Sequence, residues 1–136
     1  MAAELQAAVA ARLPIELPGA IQVQRSPSLW MVGLKLLNVR TAATKAGIKY
    51  WFDVTPSLYK SQAVDFFLFA CGSPDTIYVF PREDFEVLIV GASVGGDKQV
   101  PQFTLFINTK EFEPAGRERI NVAHFLNAFR SVVAAS

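Results

Sequence analysis

Cysteine is almost absent from this chain: Cys71 stands alone among 136 residues. An internal disulfide and every multi-cysteine metal site are therefore excluded, and an unpaired thiol suits a reducing compartment. Long apolar runs are also lacking. None approaches the roughly 18 residues needed to cross a bilayer, and the opening MAAELQAAVAARL carries Glu4 where a signal peptide would carry basic residues. The expectation is a cytoplasmic protein, neither secreted nor inserted in a membrane. A large charge of one sign is missing as well, since the formal net charge is +1, which gives no global pull toward nucleic acid.

What the chain has in quantity is apolar side chains, 51% of the total, enough to build one core in one domain spanning residues 1–136. Its charges are unevenly spread. Between residues 20 and 60 the bases are Arg25, Lys35, Arg40, Lys45, Lys49 and Lys60, and Asp53 is the sole acid, so this stretch carries +5.

Residues 2 to 13 place Leu5, Val9 and Leu13 four apart on an alanine-rich background, which predicts a helix that Pro14 ends. AIQVQR and LWMVGLKLLNV read as two strands around the Ser26-Pro27-Ser28 turn. IKYWFDV alternates and is expected to complete a hairpin over residues 29 to 55. After Pro56, SLYKSQA has room for a short helix. DFFLFAC is apolar enough to be a central strand buried on both faces, and TIYVF follows it through a tight turn. Pro81, Glu83 and Asp84 open a helix whose inward face is Phe85, Leu88 and Ile89. QFTLFIN alternates as a further strand, EFEPAGRER reads as exposed, and Asn121 can cap a last helix bearing Val122, Phe125, Leu126, Phe129 and Val133 on one face. The expected class is α/β or α+β, a mixed sheet flanked by helices in the order α-β-β-β-(short α)-β-β-α-β-α.

Several residues invite chemistry and are better explained without it. The glycine-rich stretch from Gly91 to Gly96 lacks the Lys-Ser/Thr pair of a phosphate-binding loop, because Asp97-Lys98-Gln99 leads instead to Pro101 and a strand. His124 lies beside an apolar stripe with no nucleophile or orienting partner in view, and Cys71 ends an apolar strand, where a cysteine is usually a small buried residue. Trp30, Tyr50 and Trp51 lie in or beside the basic stretch. Aromatics among cations can stack bases while lysines hold phosphates, although aromatics in strands more often build a core.

The run from the first helix through LWMVGLKLL and YWFDV to DFFLFACGSPDTIYVFP is similar in its order of elements to the core of the PD-(D/E)XK, or restriction endonuclease-like, superfamily. The likeness covers about residues 2 to 90. It implies that LWMVGLKLL carries the (D/E)-x-K element, with Gly33 at the acidic position and Lys35 at the lysine. In such domains carboxylates on adjacent strands hold Mg²⁺, the metal stabilises charge on the phosphate, and the lysine orients the attacking water. Gly33 has no ligand atom, and the aspartate expected near Ser26-Pro27 is absent.

Two readings of that loss follow. In the first, the fold is kept without catalysis or cofactor. The domain then binds nucleic acid, DNA rather than RNA, through phosphate contacts from Lys35, Arg40, Lys45 and Lys49, with Trp51 beside them. In the second, a hairpin turning near residue 43 sets Asp53 opposite Gly33. Asp53 then serves as metal ligand and Lys35 as catalytic lysine in a Mg²⁺-dependent endonuclease. A reading from another class is a protein-interaction or homo-oligomeric assembly domain without chemistry.

Overall fold

Alanine-rich sequence winds into α1 (Ala2–Glu16), with Leu5, Val9 and Leu13 on its buried face. The helix does not stop at Pro14. Its last turn closes with the Leu17 N–H donating to the Leu13 carbonyl at 2.7 Å, and both leucines are fully buried, so packing holds a turn that propensity alone would end. The computed structural model describes residues 2–43, 47–60, 62–92, 94–95 and 100–135. After α1 come β1 (Ile21–Gln22), β2 (Leu29–Val32), β3 (Lys35–Ala42), β4 (Lys49–Asp53), α2 (Pro56–Lys60), β5 (Phe66–Cys71), β6 (Ile77–Pro81), α3 (Arg82–Ile89), β7 (Val94–Gly95), β8 (Val100–Phe106), β9 (Glu111–Pro114), β10 (Ile120–Asn121), a 3-10 turn (Ala123–Phe125) and α4 (Arg130–Ala135).

The fold is mixed α+β, but the strands form two sheets where one was expected. The first runs β1-β2-β3-β5-β6 and is mixed, because β3 and β5 are parallel while its other neighbours are antiparallel. The second runs β10-β9-β8-β4 and is antiparallel, with β7 paired to the start of β8. The phenylalanines sit between the two sheets. Phe52, Phe69, Phe80, Phe85, Phe103 and Phe112 pack with ring centroids 4.5–6.2 Å apart, and α3 contributes Phe85 to this layer. On the other face of the first sheet, α1 together with Phe129 and Val132 covers Trp30, Val32, Leu37, Val39, Leu68 and Val79.

Four expectations are corrected by this architecture. LWMVGLKLLNV is a hairpin and not one strand: Val32 pairs with Lys35, and Gly33-Leu34 forms a two-residue turn with Gly33 at φ 59°, a conformation that favours glycine. The hairpin from 29 to 55 is not formed either, because β4 leaves the first sheet and pairs with β8. The cause lies in the side chains. β5 is buried along its whole length and belongs beside β3 in the middle of a covered sheet, whereas β4 alternates exposed and buried residues and fits an edge with one open face. Thirdly, the last helix is split. Asn127, at φ 52°, donates its N–H to the Ile77 carbonyl at 2.6 Å and accepts the Ile77 N–H on Oδ1 at 3.2 Å, tying the chain to the edge of β6. EFEPAGRER likewise contains a strand, β9, whose Phe112 is fully buried.

Candidate functional site

The described residues of the basic stretch do not converge on one surface. Lys35 shares a face of β3 with Leu37 and Val39, which pack toward α1. It lines a cavity of about 240 Å³ with Asp65, Arg82 and Ser131. Asp65 is a local organiser there: its Oδ2 accepts the Leu36 N–H at 2.8 Å, and its own N–H donates to the Leu36 carbonyl at 2.8 Å. Arg40, an odd number of residues away, points from the opposite face toward the second sheet. Lys45 lies outside the described residues, as do Gly96 and Asp97-Lys98-Gln99 of the glycine-rich stretch.

Asp53 does not lie opposite Gly33. It pairs with Gln102 on β8, and its carboxylate is 3.6 Å from the Arg40 guanidinium, whose Nη1 also donates to the Asp53 carbonyl at 3.3 Å. Asp53 therefore stands on the rim of the second sheet and touches the first only through Arg40, whose side chain lies on the face of β3 opposite Lys35. The two residues assigned to a relocated metal site are not brought together, because the register that would have joined them required β4 to pair with β3. Gly33 offers no donor and sits in a turn, and Asp53 is already held by a guanidinium. The residues that the resemblance assigns to Mg²⁺ do not fit the ion.

Lys49 and Trp51 are brought together. Alternation along β4 turns Tyr50 and Phe52 inward and leaves Lys49 and Trp51 on the outer face of the second sheet, with Trp51 56% exposed. Gln102 and Thr104 of β8 continue this face, Thr104 directly opposite Trp51. At its far side Arg119 lies 3.8 Å over the Phe106 ring and 3.7 and 3.5 Å from the carboxylates of Glu111 and Glu113. The face is thus nearly neutral, with an open indole, the Lys49 ammonium and uncharged polar groups at its centre. Sequence reasoning singled out Lys49 and Trp51 but missed Thr104, Gln102 and Arg119. The period of two in QFTLFIN and in Glu111-Phe112-Glu113 was the available signal.

A second concavity of about 390 Å³ lies between α1 and the hairpin, with Gln6, Gln22, Ser28 and Thr41 around Trp30 and Val39. The singled-out nucleophile and base have settled surroundings. Cys71 is buried, and burial pushes its thiol far above the ordinary range. Burial, with the nearby Cys71, raises the Tyr78 hydroxyl to about 12. His124 is exposed, its ring 4.0 Å from that of Phe125. Among the described residues, no helix is long and apolar enough to cross a membrane. No family model, curated protein or solved structure matches this chain.

Proposed function

We propose that the domain binds single-stranded nucleic acid without cutting it, through the outer face of the second sheet. One observation carries this reading: Trp51 stands more than half exposed on an open sheet face with Lys49 two residues away on the same side. An indole in that position offers a base a stacking surface, and the ammonium offers a phosphate a partner. Stacking contributes about 1–3 kcal/mol per base, so the aromatic group carries the larger share of the proposed affinity. Arg40 and Arg119 are committed to Asp53 and to Glu111 and Glu113, which limits the number of phosphates the face can neutralise.

The restriction endonuclease-like core belongs to this proposal. Its support is a helix packed on a mixed sheet whose one parallel pair, β3 and β5, follows a hairpin. DNA is the preferred partner on that likeness, and catalysis is not part of the reading, because Lys35 belongs to the first sheet and Asp53 to the second, paired with Gln102.

The test is a titration of labelled single-stranded DNA, single-stranded RNA and duplex DNA across a range of salt, with and without Mg²⁺. Single strands should be retarded uncut, with a salt dependence equal to about one or two phosphate contacts. Trp51→Ala should weaken binding by about 5- to 150-fold, the equivalent of one stacked base. Unchanged affinity in that variant would remove the sheet face from the account, and Mg²⁺-dependent cleavage abolished by Lys35→Ala would replace a binding module with an enzyme.

A further inference from the structure

Strand β4 borders the second sheet, and the direction of its main-chain groups follows from one bond. The Ile107 N–H donates to the Ile48 carbonyl at 2.8 Å, so in the antiparallel register of this pair residues 48, 50 and 52 bond to β8. The N–H and C=O groups of Lys49, Trp51 and Asp53 therefore point to the free edge. Arg40 occupies part of that edge through the Asp53 carbonyl, and among the described residues the outward main-chain groups of Lys49 and Trp51 meet no hydrogen-bond partner. Such an edge is a template for another strand.

The side chains say which strand fits. An antiparallel copy of β4 laid along this edge with its two-fold axis at Trp51 sets Trp51 against Trp51 of the second copy. It also sets Lys49 beside the second copy's Asp53, twice, on one face of the joined sheet, where each Asp53 carboxylate already lies 3.6 Å from its own Arg40 guanidinium and takes the Lys49 ammonium as a second cation. Moving the axis to Tyr50 or to Phe52 leaves Asp53 opposite Gly47 or Trp51 and matches no charges. The strand is complementary to itself in one register. We infer that the chain self-associates through β4, joining two second sheets into one continuous sheet across a two-fold axis. The partner is a second copy of this chain. Only a short strand contributes from each side, so the dimer is a weak one that forms as concentration rises. The inference stands on the edge of β4 and its charges, and it is tested without nucleic acid, so its failure leaves the binding proposal in place.

The experiment is sedimentation equilibrium over a wide concentration range, with circular dichroism to verify folding. The unmodified chain should pass from monomer to dimer. Lys49→Asp and Asp53→Lys each set like charges across the axis and should each weaken dimerisation by about tenfold or more. An equimolar mixture of the two variants restores opposite charges at both pairs and should regain the dimer. A chain that stays monomeric at every concentration overturns the inference. So does a dimer indifferent to both substitutions, or a mixture that fails to recover.

Discussion

Strand β5 reads FFLFAC and is buried along its whole length, whereas β4 reads KYWFD and buries every second residue. Both are rich in aromatic side chains, yet they serve opposite ends. β5 forms the middle of the first sheet, with α1 on one side and the phenylalanine layer on the other. β4 forms the rim of the second sheet, where only its inner face has a partner. Aromatic content therefore does not tell a core strand from a surface strand. The spacing of charge does: Lys49 and Asp53 forbid burial of the face they share with Trp51, and an exposed indole is what remains.

The contrast can be broken most directly by truncating one aromatic from each strand. Phe69 touches Phe52, Phe80, Phe85 and Phe103, so Phe69→Ala should lower unfolding free energy by about 3–5 kcal/mol in a urea titration. Trp51→Ala should leave it within about 0.5 kcal/mol. Equal losses would mean that β4 is as buried as β5.

A smaller effect probes the turn that separates β2 from β3. Gly33→Ala places a Cβ on a residue at φ 59° and should lower stability by about 1–2 kcal/mol, read from the same titration. A neutral result would count against the two-residue hairpin.

Smaller still is the contact that ties the rim of the second sheet to the first. Arg40 and Asp53 are both more than a third exposed, so Arg40→Ala should cost less than about 1 kcal/mol, and less again in high salt. A loss of several kcal/mol would show the pair to be desolvated.

The mildest change at neutral pH concerns Tyr78, buried in the phenylalanine layer with a hydroxyl that makes no hydrogen bond within the described chain. Tyr78→Phe should leave stability at pH 7 unchanged or slightly raised, within about 1 kcal/mol. The advantage of the variant grows with alkali. The folded-state pKa is raised from 10 to about 12, so the neutral hydroxyl contributes stability that is fully present below pH 10 and lost as pH rises through about 12. The phenylalanine variant should lack that part of the alkaline loss in a pH-jump denaturation series.

Much of the element list was legible in the chain. The buried strand at DFFLFAC follows from an unbroken apolar run, and the helix at Arg82–Ile89 follows from the acids after Pro81 and the spacing of Phe85, Leu88 and Ile89. The turn at Gly33 is signalled by a glycine inside an apolar run, but the signal is weak because the residues around it keep strand character on both sides. The split of the last helix was not legible. Val122, Phe125, Leu126 and Phe129 have helical spacing, and the break depends on Asn127 finding the edge of β6, fifty residues away.

The candidate site divides in the same way. Composition and alternation by themselves determined that one face of β4 must be wet and that Lys49 and Trp51 share it, since residues two apart on a strand point the same way. Which strand lies beside β4 was decided by tertiary structure alone. A strand's sequence specifies which faces it can bury, but its neighbour is chosen by competition among all strands for the most covered position. There β5 displaced β4 from β3 because it had no polar side chain to keep in water.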